Sequence, residues 1–128
     1  MLASIIAKEC YRNRNSVRRV TFMEYISQYT RAWGAKTPEE KETQESLFYD
    51  NFKGVEFLVL EEVGKEIESN INVSILEDCL RYREDKGLVT IICTNLSGKN
   101  LFERYGASIE SLIKGNFTPI KVVGKDRR

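Results

Sequence analysis

The sequence predicts an α/β domain in which helices cover a mainly parallel sheet. Short runs of apolar and β-branched residues alternate along the chain with stretches of helical period. Two of these runs, residues 55–60 and 88–94, are almost continuously apolar, which is typical of strands covered on both faces. The 128 residues are enough for one domain, so residues 1–128 are treated as a single domain with a basic tail at residues 124–128.

Periodicity and the residues that begin and end helices predict the elements in order. β-branched side chains define the first strand, and apolar residues three or four apart define the helices on either side of it. The elements are a helix over 2–12, a strand over 17–22, helices over 23–33 and 37–51, a strand over 55–60, a helix over 71–84, a strand over 88–94, a helix over 101–114 and a strand over 118–123.

The helix that follows Gly34 has the clearest start signal. Thr37 can cap it, Pro38 suits the first helical position, and Glu40 lies where a capping box requires an acid. We expect this helix to bury Leu47 and Phe48. On the helix before it we expect four buried side chains, which are Tyr25, Ile26, Tyr29 and Trp33.

Turn residues separate the later elements. Gly54 precedes the second strand, Gly87 precedes the third, and Gly115 closes the last helix. The helix between the two apolar strands has one apolar stripe, which predicts its buried face. The stripe consists of Ile75, Leu76, Cys79, Leu80 and Tyr82.

Composition excludes several classes of function. Lys and Arg total 20 and Asp and Glu total 19, so the net charge gives no strong attraction to nucleic acid or membranes. The chain has no histidine, which removes the commonest general base and most zinc sites. Three widely spaced cysteines favour a reducing compartment over a disulfide framework. No apolar run approaches the ~20 residues that span a bilayer, and the first residues do not form a signal peptide. We therefore expect a cytoplasmic protein without membrane contact.

Paired acids follow the first of the two apolar strands. Four apolar residues precede Glu61 and Glu62, which is the pattern of a Walker B strand. Such a strand delivers two carboxylates to the carboxyl edge of a parallel sheet, where the first helps to hold Mg²⁺ and the second polarises the attacking water. The alternative is a buried strand that emerges into solvent with surface acids.

Small polar residues end the second apolar strand. Thr94 and Asn95 follow directly on its apolar residues. A polar side chain at this point can orient water against a terminal phosphate, as a sensor residue does. The alternative is an ordinary strand end at which Asn95 caps the next turn.

In this order the features resemble the ATPase domain of bacterial and phage replicative-helicase loaders, which are AAA+ proteins of the DnaC and DnaI kind. The similarity covers nearly the whole chain. The residues that carry it are the opening Leu2-Ala3 pair, the strand Phe57–Leu60 with Glu61-Glu62 and Val63-Gly64, the Thr94-Asn95 pair and the closing Gly124–Arg128. The resemblance implies a three-layer P-loop NTPase sheet of the AAA+ type.

The resemblance also implies ATP and Mg²⁺ as cofactors and assigns roles to several residues. Glu61 would bind the metal and the cofactor, Glu62 and Asn95 would be catalytic, and Arg127 and Arg128 would meet phosphate. The implied partner is a replicative helicase or its loader in DNA replication.

The sequence departs from this family at three places. None of its Gly-Lys pairs is followed by Ser or Thr, so G-x-x-x-x-G-K-[ST] is missing, and we expect a fold truncated at its N-terminus, without the first strand and the phosphate loop. Glu61 stands where the family usually has the shorter Asp, although Mg²⁺ tolerates little distortion. Ser108 and Leu112 stand where the family has arginines, and Arg104 lies about a turn out of register.

Two functional hypotheses follow, from different classes. In the first, the chain is a binding protein with degenerate ATPase machinery that engages a replicative helicase or its loader. In the second, it is a fragment of a functional Mg-ATP-dependent helicase-loader ATPase. An unrelated α/β domain that happens to share the pattern is a third possibility.

Basic residues near the first turn are candidates for contact with single-stranded DNA. They are Arg12, Arg14, Arg18 and Arg19. Aromatic residues lie nearby, and single-stranded DNA is bound by stacking its bases on rings and pairing its phosphates with cations. The alternative is a solvated turn. Residues 23–51 are the second candidate region, for contact with DNA or with another subunit.

Loss of the family's first strand predicts an open edge on the strand over 88–94, and such an edge invites pairing. The strand over 118–123 could fill the gap, a second copy could supply the edge and form a homo-oligomer, or the chain could be part of a longer protein. We favour the first outcome because it needs no partner. It requires residues 120–123 to pair with Ile91 or Ile92.

Overall fold

The computed structural model describes residues 5, 6, 8, 9 and 16–122, and the first four of these are helical. Three strands form one parallel sheet in the order β1-β2-β3, with β1 at Val17–Thr21, β2 at Phe57–Glu61 and β3 at Val89–Ile92. Helices flank this sheet, as predicted for an α/β domain. None of the helices in the described ranges has the length and apolar character needed to cross a membrane.

Within residues 16–122, five helices and two irregular turns connect and cover the strands. The helices are α1 (Phe22–Thr30), α2 (Pro38–Phe48), α3 (Asn70–Asp85), α4 (Gly98–Tyr105) and α5 (Ala107–Asn116). A 3₁₀ turn, Arg31–Gly34, follows α1, and a π-helical turn, Tyr49–Lys53, follows α2. The capping prediction for α2 is confirmed, because the Glu40 amide donates to Thr37 Oγ1 at 3.1 Å.

The central strand β2 is buried on both faces, as its composition predicted. Leu58 and Leu60 belong to the main core, and Val59, on the opposite face, is 1% exposed. The register aligns Val17 with Phe57 and Phe57 with Val89, so all three strands end at the same edge of the sheet. The strands are shorter than predicted: β2 starts at Phe57 and β3 ends at Ile92.

A fully buried arginine holds the opposite edge of the sheet, where the strands begin. Among the described residues, the Arg83 side chain is the largest one that is completely buried, and burial lowers its pKa. Its guanidinium donates to the carbonyls of Lys53, Val55 and Val89 at 2.7–2.8 Å, and its Nε donates to Thr90 Oγ1 at 2.8 Å. One side chain therefore ties the π turn, the approach to β2 and the start of β3 to the end of α3.

The helix predicted over 101–114 is two helices. Gly106 has a φ of 89° and separates α4 from α5. This left-handed conformation is one that glycine adopts without steric cost, so the chain turns here. The apolar spacing continues across the break, which is why periodicity predicted a single helix.

Two side chains expected in the core are exposed. Trp33 is 62% exposed because it lies on the 3₁₀ turn, where the residue-to-residue rotation differs from that of the α-helix before it. Leu47 is 51% exposed, and α2 has no fully buried residue. The α2 helix is instead attached through Phe48, whose ring packs edge-on against Tyr25 and Tyr29 at centroid distances of 5.1 and 5.5 Å.

The strand predicted over 118–123 is not formed in its described part, residues 118–122. Ile120 and Val122 are 70% and 76% exposed, and β3 pairs only with β2 among the described residues. The expected pairing of this segment with Ile91 or Ile92 is therefore wrong for residues up to 122.

We expect Arg83→Met to lower the free energy of unfolding by about 3 kcal/mol or more, because it leaves several buried carbonyls without a donor. Urea denaturation followed by circular dichroism measures the change. Arg81→Met is the matched control on the same helix, since Arg81 is exposed and its ion pair with Glu77 is worth about 0.5 kcal/mol. Equal stability of R83M and R81M would contradict the role of Arg83.

Candidate functional site

The first predicted acid, Glu61, ends β2 and forms an ion pair with a neighbouring strand. Its Oε1 accepts a hydrogen bond from the Nε of Arg19 on β1. The two meet because β1 and β2 are parallel neighbours whose carboxyl ends lie side by side. The Glu61 side chain is 17% exposed and that of Arg19 is 42% exposed, so the pair borders solvent.

The second predicted acid, Glu62, is turned away from the strand. Its φ is 56°, a left-handed conformation that is uncommon for a residue other than glycine. Its carboxylate lies 3.5 Å from Lys65 Nζ, and its carbonyl accepts from the Lys65 amide at 3.1 Å. Glu61 and Glu62 are adjacent in sequence but face different cations.

The loop after β3 packs on the turn after β2, as expected for strands that end at one edge. Thr94 Oγ1 donates to the Val63 carbonyl at 2.7 Å and accepts from the Leu96 amide at 3.1 Å. Gly64, with a φ of 105°, lies so close that a Cβ there would be 2.6 Å from Leu96 Cδ1. Thr94 thus connects the two loops, and the predicted sensor residue next to it, Asn95, is exposed to solvent.

A buried carboxylate that the sequence reasoning missed lies just behind this turn. The Glu66 side chain is 3% exposed, and its Oε1 accepts from the Gly64 amide at 2.8 Å. Its Oε2 accepts from the Tyr105 hydroxyl and from Arg104, 3.3 Å away, while Arg104 also donates to Glu68 at 2.9 Å. Glu66, Glu68, Arg104 and Tyr105 line one side of a cleft of about 280 Å³ at the start of α3.

This cluster explains two properties of its members. Burial and the hydrogen bond to Glu66 raise the pKa of Tyr105, so its hydroxyl remains a donor to the carboxylate. Arg104 forms ion pairs with Glu66 and Glu68 of its own chain. No local signal could have found the cluster, since Glu66 and Arg104 are separated by 38 residues and neither lies in a recognisable motif.

The basic residues predicted to contact DNA are only partly described. Arg12 and Arg14 lie outside the described residues, as do Arg127 and Arg128. Arg18 and Arg19 are consecutive in β1 and face opposite sides of the sheet. Arg18 donates to the Asn51 carbonyl at 2.8 Å and lies over the Phe52 ring at 5.0 Å, far from the Arg19 pair with Glu61. The DNA contact stays a prediction.

The two carboxylates expected at a Mg-ATP site have cationic partners within this chain. Arg19 occupies the carboxylate of Glu61, Glu62 faces Lys65, and the Thr94 hydroxyl is used in both of its hydrogen-bonding roles. Across residues 16–122, Asp, Glu and Cys side chains form no group of three that could hold a metal ion. The catalytic roles assigned to Glu62 and Asn95 remain predictions.

Cys93 lies beside the Glu61–Arg19 pair, and the pKa of its thiol responds to the charges of both residues. Burial raises the pKa of the Cys93 thiol, the charge of Glu61 raises it further, and the charge of Arg19 lowers it. Cys79, in contrast, is completely buried in the core, and burial raises its thiol pKa to about 11. Of these two described thiols, Cys93 is the one whose ionisation depends on the charges of Glu61 and Arg19.

Neither a scan against protein-family models nor a search of curated proteins found a match to this chain. The geometry of the residues and the order of the motifs therefore carry the functional proposal.

We expect Glu61→Gln to move the pH midpoint of thiol alkylation at Cys93 downward, because it removes a negative charge that disfavours the thiolate. Arg19→Gln should move the midpoint upward, because it removes the opposing positive charge. Mass spectrometry of the Cys93 peptide across a pH series measures both shifts. A midpoint unmoved by E61Q would contradict the proximity of Glu61 to the thiol.

Proposed function

We propose that this chain is a helicase-loader-like domain of the AAA+ type that binds a replicative helicase or its loader and does not hydrolyse ATP. The ion pair between Glu61 and Arg19 carries the proposal. In a working Walker B strand this carboxylate helps to hold Mg²⁺. Here a guanidinium from the neighbouring strand binds it, so a metal ion would have to displace Arg19 to reach the carboxylate.

Two further observations support the proposal. The order β1-β2-β3, all parallel, is compatible with the corresponding part of a P-loop NTPase sheet. Arg104 is bound by Glu66 and Glu68, so it is not presented to the nucleotide of a neighbouring subunit. Both features fit a domain that keeps the architecture of a loader while its charged groups stabilise the domain itself.

A surface suited to a protein partner lies between the 3₁₀ turn and α3. Trp33 and Ile71 are 62% and 57% exposed, and they border a groove of about 330 Å³ that Tyr29 and Ile75 also line. The Tyr29 and Trp33 rings meet edge-on at a centroid distance of 6.3 Å. Exposed apolar clusters mark interaction sites, and tryptophan is enriched at the centres of interfaces. This groove includes part of residues 23–51, the region predicted for contact with DNA or with another subunit, and we propose that the protein partner docks here.

We expect calorimetric titration of the folded chain with Mg-ATP to show no saturable heat. The reason is that Arg19 neutralises the carboxylate that would hold the metal. Circular dichroism confirms folding before the titration. Saturable binding that E61Q abolishes would contradict this proposal and support the alternative, a fragment of a functional loader ATPase.

We expect the immobilised chain to retain a purified replicative helicase or its loader at micromolar concentration. Trp33→Ala should weaken retention by about tenfold or more, as truncation of an interface tryptophan does. Met23→Ala is the matched control, since Met23 is 56% exposed on the same part of the chain but does not line the groove. Failure to retain either protein, or equal losses in W33A and M23A, would count against the proposal.

A further inference from the structure

The outer edge of β3 is open in the described chain. The amides of Val89 and Cys93 donate to the carbonyls of Glu56 and Leu60 at 3.0 and 2.8 Å, so the backbone groups of Val89 and Cys93 face β2. Because alternate residues of a strand direct their backbone groups to opposite sides, Thr90 and Ile92 direct theirs away from β2. Such a row of backbone groups is a template for another strand.

The two edges of the sheet are protected to different degrees. At one edge β1 carries Arg18 and Arg19, and charged side chains discourage edge-to-edge pairing. At the other edge β3 reads Val-Thr-Ile-Ile, without a charge or a proline, and Val89 is 46% exposed. The composition of β3 is that of an inner strand.

A segment suited to this edge follows α5. Phe117 has extended backbone (φ −117°, ψ 143°) and packs against the core, which anchors the start of the segment. Beyond it, Ile120 and Val122 are 70% and 76% exposed although isoleucine and valine favour strands. In one chain, both the acceptor edge and this apolar segment therefore remain without a strand partner in the described range.

Pro119 determines how the segment could pair. Proline has no N–H, so it is tolerated only where its nitrogen faces away from the ladder. The backbone N–H and C=O groups of Ile120 and Val122 must then point toward β3. Pro119 and Lys121 fall on the new outer edge, and proline and lysine are residues that protect edges.

We propose that two copies of this chain exchange these segments, with residues 118–122 of each copy pairing with β3 of the other. Each copy offers one segment, residues 118–122, and one open strand edge, that of β3. A reciprocal exchange therefore pairs both and closes with two-fold symmetry. The exchange adds a fourth strand to each sheet and buries Ile120 and Val122. This inference does not depend on the helicase or loader partner proposed above.

Sedimentation of the 128-residue chain, from low micromolar to several hundred micromolar, tests the exchange. We expect a dimer whose dissociation constant rises by about tenfold or more in Ile120→Pro, because that change removes an N–H directed at β3 in both copies. Lys121→Pro is the matched control. It removes an N–H from the outer edge and should leave the dissociation constant within about twofold. Both side chains are exposed in the single chain, so circular dichroism should be unchanged.

A wild-type chain that stays monomeric over the whole range would overturn the proposal. The same holds for a dimer that I120P leaves intact, since another surface would then form it. Equal losses in I120P and K121P would also overturn it, because the pairing register would then be wrong. Co-purification of two differently tagged copies, abolished by I120P and retained in K121P, is the result expected from exchange.

Discussion

The buried guanidinium of Arg83 is the interaction on which the geometry of the sheet depends. It binds carbonyls at the approach to β2 and at the start of β3, and so sets these two strands side by side at their amino ends. At their carboxyl ends, Thr94 makes the equivalent connection through the Val63 carbonyl. A buried charge without acceptors is strongly destabilising, so Arg83 also selects the one arrangement in which its donors are satisfied.

The carboxyl edge of the sheet shows how charged groups can stabilise the domain itself. Glu61 is bound by Arg19, and Glu66 is bound by Arg104 and Tyr105. The two clusters differ in energy. The Glu61–Arg19 pair borders solvent and contributes about 0–1 kcal/mol to the stability of the fold. Its main effect is that Arg19 occupies the Glu61 carboxylate. Glu66, in contrast, is buried, and its loss would leave several hydrogen-bond donors unpaired.

Local patterns predicted the elements whose causes are local. The β-branched run at residues 17–22 became β1, Thr37 caps α2, and the apolar run before Glu61 became the central strand. Predictions that required a long-range partner were less successful. Trp33 and Leu47 have apolar side chains at suitable spacing, but no described element covers them. Residues 118–122 have the composition of a strand but no neighbouring strand among the described residues.

The sequence by itself determined the α/β class, three of the four strands that it predicted and the acids at the end of β2, because periodicity and capping act over a few residues. Only the tertiary structure decided which charges meet. Arg19 reaches Glu61 across 42 residues, and Arg104 reaches Glu66 across 38. These pairings depend on which elements the fold places side by side, and a local sequence pattern does not indicate which distant elements become neighbours. The paired acids are therefore visible in the sequence, but the arginine that binds the first of them is visible only in the fold.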